Sequence, residues 1–126
     1  MVNITTRNLT TATDICGTYS GRDYDKFQLA GLTPASSVKV MVPIIAESPI
    51  NLECQTRKVL ELGTHDMFVA EIVAVQVDDR ILDSNGRLNV EKLDPLVYCP
   101  NAREYWVGLT SMVGKYGAIA RETIKK

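Results

Sequence analysis

Several residue types on which enzyme signatures depend are scarce in this sequence. There is one histidine, His65, in 126 residues. A single imidazole excludes a multi-histidine metal site and leaves little room for Ser-His-Asp chemistry. Cys16, Cys54 and Cys99 are odd in number, widely spaced, and form no C-x-x-C pair. A disulfide framework or a zinc site needs pairing or clustering, so the three read as free thiols of a reducing cytosol. No G-x-S-x-G, G-x-x-x-x-G-K-[ST] or G-x-G-x-x-G run occurs, which removes the usual hydrolase and nucleotide signatures. Neither sign of charge dominates, since 14 Lys and Arg meet 15 Asp and Glu. Phosphate-backbone binding draws on a basic surplus, so nucleic acid is not an expected partner. No apolar run approaches the roughly 18 residues that span a bilayer. The first residues, Met1-Val2-Asn3-Ile4-Thr5-Thr6, carry no basic stretch followed by a long apolar one, unlike a secretory signal. A cytoplasmic protein with no metal site and no membrane contact is the expectation.

What is present is enough for a core. Hydrophobic residues make up 45% of the chain, and a chain of this length folds as one domain, here 1–126. Charge is distributed unevenly. Asp66, Glu71, Asp78, Asp79, Asp83, Glu91 and Asp94 outweigh Arg80, Arg87 and Lys92. From residue 101 the balance turns basic through Arg103, Lys115, Arg121, Lys125 and Lys126.

The spacing of Leu9, Ala12 and Cys16 predicts a short helix over 6–16, capped by Thr5 or Thr6 and ended by Gly17. A second helix is predicted over 23–30, with Asp23 as N-cap, Phe27 and Ala30 inward, and Gly31 as the stop. Pro34, Pro43 and Pro49 then bar helix, because proline lacks an amide donor and clashes with the preceding turn. Ile50-Asn51-Leu52-Glu53-Cys54-Gln55 alternates as a half-buried strand does. Thr56-Arg57-Lys58 breaks the alternation before Val59-Leu60-Glu61-Leu62, which predicts a β-bulge. Gly63-Thr64-His65-Asp66 turns the chain into a second strand, residues 67–77. That strand is apolar on both faces except at Glu71 and Gln76. One face of an antiparallel sheet normally meets water, so the second face needs a helix or, preferably, another subunit over it. Asn85-Gly86 predicts a short hairpin between Ile81-Leu82 and Arg87-Leu88-Asn89-Val90. Leu96-Val97-Tyr98-Cys99 reads as one more strand, Glu104-Tyr105-Trp106-Val107 as an aromatic segment, and 108–126 as an ordered loop around Gly114-Lys115-Tyr116-Gly117.

The ordered set Ser20-Gly21-Arg22-Asp23 with Lys26-Phe27, Glu47-Ser48-Pro49-Ile50-Asn51-Leu52-Glu53-Cys54, the Gly63-x-His65-x-x-Phe68 hairpin, Glu104-Tyr105 and Gly114-Lys115-Tyr116-Gly117 resembles the flavin reductase-like, FMN-binding split-barrel family of flavoredoxin type. The resemblance covers nearly the whole chain. It implies a mainly β, β-rich α+β fold: an antiparallel Greek-key split β-barrel with short helices, working as a homodimer with FMN near the subunit interface. It also places Met1-Val2-Asn3 at the end of a strand in mid-domain, with the family's opening strands upstream. Electrons would come from NAD(P)H or a redox-protein partner and pass through FMN to an acceptor.

The resemblance implies roles residue by residue. His65 stands at the hairpin tip near flavin and nicotinamide, as the candidate catalytic and cofactor-binding imidazole; histidine can donate a hydrogen bond or carry a proton toward charge on reduced flavin. Ser20, Gly21 and Arg22 offer a hydroxyl, an approachable backbone and a guanidinium to phosphate or a flavin edge. Lys26 joins them one turn later, while Phe27 reads as core. Pro100-Asn101-Ala102-Arg103 stands where the family often has Ser-His-Gly, so a second histidine site is missing. A competing expectation, of another class, is a truncated barrel without flavin that acts as a structural or interaction subunit.

Overall fold

The computed structural model describes residues 1–109. The Gly114–Gly117 loop and most of the basic tail lie outside the described residues. Among the described residues strand pairing is antiparallel throughout, and the helices are short. In chain order the elements are β1 (Val2–Asn3), a 3₁₀ turn (Arg7–Leu9), α1 (Thr10–Thr18), α2 (Lys26–Ala30), β2 (Pro34–Ala35), β3 (Ile44–Ile45), β4 (Ile50–Glu61), β5 (Asp66–Val77), a second 3₁₀ turn (Asp79–Ile81), α3 (Val90–Leu93), β6 (Val97–Cys99) and β7 (Glu104–Trp106). Among the described residues the strands make three sheets, β1-β4-β5, β2-β3 and β6-β7.

Both predicted N-terminal helices form, with different ends. Thr5 and Thr6 do not cap α1. The backbone there is committed elsewhere: Leu96 N donates to Thr5 O at 3.0 Å, Arg7 N donates to Asp94 O at 3.1 Å, and Thr6 bridges Pro95. The α-helix therefore starts one turn later. Gly17 lies within it rather than ending it, and Tyr19 N closes it onto Ile15 O. In α2 the cap is Asp25, not Asp23. The Asp25 carboxylate accepts from Phe27 N at 3.0 Å and Gln28 N at 3.2 Å. Residues 20–24 are folded into a turn on Ser20 O, which delays the helix past Asp23. Gly31 ends α2 as expected, at φ 65°, a left-handed conformation that glycine adopts without steric cost.

The hairpin of β4 and β5 dominates the molecule. The predicted bulge is present between Thr56 and Lys58, and a second lies on β5 opposite the Glu53–Cys54 step. Directly paired residues share a face. One face carries Asn51 with Gln76 and Glu53 with Ala74; the opposite face carries Leu52 with Val75, Cys54 with Ile72, Thr56 with Ala70, and Val59 with Phe68. Alternation over 50–55 is as predicted, but burial runs the other way. Asn51 and Glu53 are buried while Ile50, Leu52 and Cys54 are half-buried. The reason is the segment 33–47, whose backbone amides lie over the polar face and need acceptors there.

Asn85-Gly86 does turn the chain, with Gly86 at φ 70° and Gly86 N on Asp83 O. The flanks are not strands, however. A single bridge joins Leu82 to Leu88, Ile81 closes a 3₁₀ turn, and Asn89 caps α3 by accepting from Lys92 N at 3.0 Å. An Asn side chain that bonds forward to the backbone favours a helix start over a strand. The strand expected at 96–99 forms as β6, and the aromatic segment 104–107 supplies its partner β7, Val97 opposite Trp106 and Cys99 opposite Glu104. Among the described residues the buried apolar side chains are few: Leu9, Ile44, Ile81 and Leu93.

Candidate functional site

The connection between α1 and α2 gathers four of the predicted site residues. Ser20 Oγ accepts from Arg22 N at 3.2 Å, a local turn that fixes the loop. Lys26 lies back across it, with Nζ donating to Cys16 O at 2.5 Å. Its aliphatic stem runs beside Gly21, where an added Cβ would meet Lys26 Cε at 3.6 Å. The Arg22 guanidinium makes no ion pair among the described residues. An ammonium has three donors and a guanidinium five, so the loop presents unused donors of positive charge beside a hydroxyl. That donor set fits a phosphate group.

An apolar pocket of about 210 Å³ adjoins through Cys16, lined also by Asn3, Thr5, Leu9, Ala12 and Ile45. Pockets that enclose a cofactor-sized ligand run from roughly 300 to 1,000 Å³. This one is too small to enclose a whole flavin, and it fits one end or edge. Phe27 is half-buried in α2, in keeping with its reading as a packing residue. A larger cleft of about 410 Å³ lies between Arg7 and Arg80, but their guanidiniums are paired with Asp94 and Asp78. The Arg80 pair holds the Asp78 carboxyl below the usual carboxylate range.

His65 is apart from this cluster. It occupies the exposed tip of the hairpin, where Leu62 N donates to His65 O at 3.0 Å and Nδ1 sits 3.1 Å from Thr64 Oγ1. Gly63 takes φ 90° to make the turn. Among the described residues no hydrogen bond or ion pair joins His65 to the loop of Ser20, Arg22 and Lys26.

Sequence reasoning missed a polar network on β4 and the segments packed against it. Glu53 has no exposed surface. Its carboxylate accepts from Val38 N at 2.7 Å, Lys39 N at 2.6 Å, Val40 N at 3.0 Å and Gln76 Nε2 at 2.7 Å. Burial pushes this carboxyl upward, and the four hydrogen bonds together outweigh it, holding it down at about 2. Asn51 donates to Ser48 O and accepts from Asn3 Nδ2, while Ser48 Oγ reaches Ile4 O and Ile50 O. Glu47 accepts from Thr33 N, which lowers its carboxyl below the ordinary value. Glu47 and Ser48 just before the strand, and Asn51 and Glu53 alternating within it, were the available signal.

Comparison with known proteins adds to this geometry. The model of the flavin reductase like domain matches residues 1–106. The chain is 32% identical to the flavoredoxin of Desulfovibrio vulgaris (Miyazaki F), with a TM-score of 0.82, covering 92% of this chain and 62% of that one. It is 28% identical to a flavoredoxin from Methanosarcina acetivorans, also at a TM-score of 0.82, over 96% of this chain and 63% of that one. An uncharacterized protein of Archaeoglobus fulgidus is 41% identical over 73 residues, 58% of this chain and 41% of its own length. The chain thus spans less than two thirds of each of these proteins. The antiparallel, strand-rich arrangement with short helices is the split-barrel fold that the two flavoredoxins share with it.

Proposed function

The chain belongs to the flavin reductase-like domain family, and on that premise we propose that it binds FMN and serves as an oxidoreductase of flavin reductase type. FMN, when bound, takes up electrons from NAD(P)H or a redox protein and hands them to an acceptor. The chain's own residues bind and orient. Arg22 and Lys26 neutralise the phosphate, the Ser20 hydroxyl donates to it, and Gly21 lets it approach the backbone. The pocket beside Cys16 takes a flavin edge. His65 directs an N–H toward the charge that builds up on reduction, and does so from a hairpin tip that other elements or a second subunit bring to the site. In this reading the protein is a single domain and a cytoplasmic homodimer. The observation that carries it is the set of unpaired donors on Arg22 and Lys26 beside a pocket, in a chain matched to the family from residue 1 to 106.

Titration of the purified chain with FMN tests this. Flavin fluorescence is expected to be quenched, with FMN preferred over riboflavin, which lacks the phosphate. R22A and K26A are each expected to weaken FMN about tenfold, roughly 1.4 kcal/mol, and leave riboflavin unchanged. Added NADH is expected to bleach the flavin band, and H65A to slow that step without moving FMN affinity. Unquenched FMN would overturn the reading in favour of a second one, a structural or interaction subunit. The small pocket, about 210 Å³, is the observation that favours this alternative.

A further inference from the structure

Glu53 is a buried carboxylate that the proposed function does not use. It has no exposed surface, and no Lys or Arg pairs with it among the described residues. An ionised carboxylate so placed needs a donor on each lone pair. It offers four such positions, and all four are filled. Oε1 accepts from Val38 N and Gln76 Nε2, and Oε2 from Lys39 N and Val40 N. Successive main-chain amides that converge on one anion form a nest. Ser37 Oγ donates to Val40 O across the same turn and closes it. Glutamine is no substitute for this acid. Its NH₂ group would face main-chain N–H groups whichever way it turned.

The nest lies in the middle of segment 33–47, whose ends wall the pocket beside Cys16. Leu32, just before the segment, and Ile45, near its end, both line that pocket. The segment closes on itself through little: Pro34 opposite Ile45, Ala35 opposite Ile44, and Ala46 N on Thr33 O. A strand pair this short is not stable alone. Its anchors on β4 are Asn51 and Glu53. Asn51 Oδ1 accepts one bond from Ile45 N, a long one at 3.4 Å. Glu53 accepts three, from 2.6 to 3.0 Å.

We propose that Glu53 is a positioning residue for the flavin. Its carboxylate folds 37–40 into the nest and so holds Leu32 and Ile45 where the ring edge packs. The proposal rests on the flavin reading above and adds to it a residue that touches no ligand. Its effect is distinguishable from that of Arg22 and Lys26. Those two act on the phosphate, so their loss separates FMN from riboflavin. Glu53 acts on the wall that meets the ring, which both flavins share, so its loss weakens both by the same factor.

Amide hydrogen exchange and flavin titration on the full chain test this. In the wild type the amides of Val38, Lys39 and Val40 are expected to exchange at one common rate. That rate is expected to be about 100-fold slower than at Ser36, Ser37 and Met41, whose amides have no acceptor among the described residues. In E53A the three are expected to speed up together, and FMN and riboflavin each to bind about tenfold more weakly. Acetate supplies the carbon and the carboxylate that alanine lacks, and is expected to restore both protection and affinity. Acetamide has the same shape without the charge and is expected to restore neither. R22A is not expected to respond to acetate. If far-ultraviolet circular dichroism shows that E53A is unfolded, acetate is expected to refold it, and failure to do so overturns the proposal. So does exchange at 38–40 as fast as at the neighbours, or acetamide serving as well as acetate. A released loop with unchanged flavin affinity, or a loss confined to FMN, overturns the positioning role. A wild-type chain that binds neither flavin overturns the flavin reading and this role together, and slow exchange at 38–40 then shows that the clamp itself did not fail.

Discussion

Glu53 combines an enclosed carboxylate with a loop that has no regular structure of its own. Three consecutive amides, at Val38, Lys39 and Val40, end on this one side chain. Its folded value of about 2 lies below the ordinary 4.5. A carboxyl depressed in this way stabilises the fold fully above its unfolded value, and that contribution is lost as pH falls through the folded one. Thermal unfolding of E53Q is therefore expected to show a lower Tm than wild type at neutral pH, with the gap closing between pH 4.5 and about 2. A gap that stays constant to pH 2 would mean that the side chain acts by packing and not by its charge. Single residues were legible in the sequence to different degrees. Gly31 and Gly86 announced themselves because a left-handed turn asks for little else. Glu53 did not, because alternation tells which residues share a face without telling which face is covered.

At the scale of elements, the hairpin makes a sharper prediction. Arg57 is the extra residue of its bulge, and its guanidinium pairs with Glu71 on an exposed site. Deleting Arg57 leaves Thr56 opposite Ala70 and Lys58 opposite Val69, so register and face survive. Only a surface ion pair is lost, about 0–1 kcal/mol. Deleting Val59 instead closes the bulge by drawing Lys58 opposite Phe68, which puts an ammonium on the apolar face. Urea unfolding is expected to separate the two deletions clearly, with the second much the less stable. Equal midpoints would show that register at this end is not set by the face. The bulge at Thr56-Arg57-Lys58 could be read from the sequence because the polar run broke a visible alternation. The bulge on β5 could not. A strand apolar at Phe68, Val69, Ala70, Ile72, Val73, Ala74 and Val75 has no alternation to break. Helix ends were misplaced for a related reason, since Thr5 and Thr6 are taken by residues 94–96, far away in sequence.

Taken together, the described residues bury few apolar side chains among themselves. Leu9, Ile44, Ile81 and Leu93 are the buried hydrophobic side chains among the described residues. Much of the rest of the apolar surface lies on β4 and β5. A chain that completes its burial by association gains stability by mass action. Its Tm is expected to rise with protein concentration in calorimetry, and a fixed midpoint over a hundredfold range would indicate a chain stable alone. The family-wide architecture was legible from ordered motifs. The apolar side of β4 and β5 was foreshadowed only as a strand too apolar for one side of a sheet. One further feature bears on how such a chain comes into being. The side chain of Arg7 meets Asp94, 87 positions later, and Thr5 and Thr6 meet the two residues beyond it. A ribosome adding 5–20 residues per second makes those partners roughly 5–20 s after the amino-terminal segment. During that interval Val2–Ile4 can already pair with residues 50–52 of β4, while residues 5–7 wait for the partners that fasten them from far along the chain.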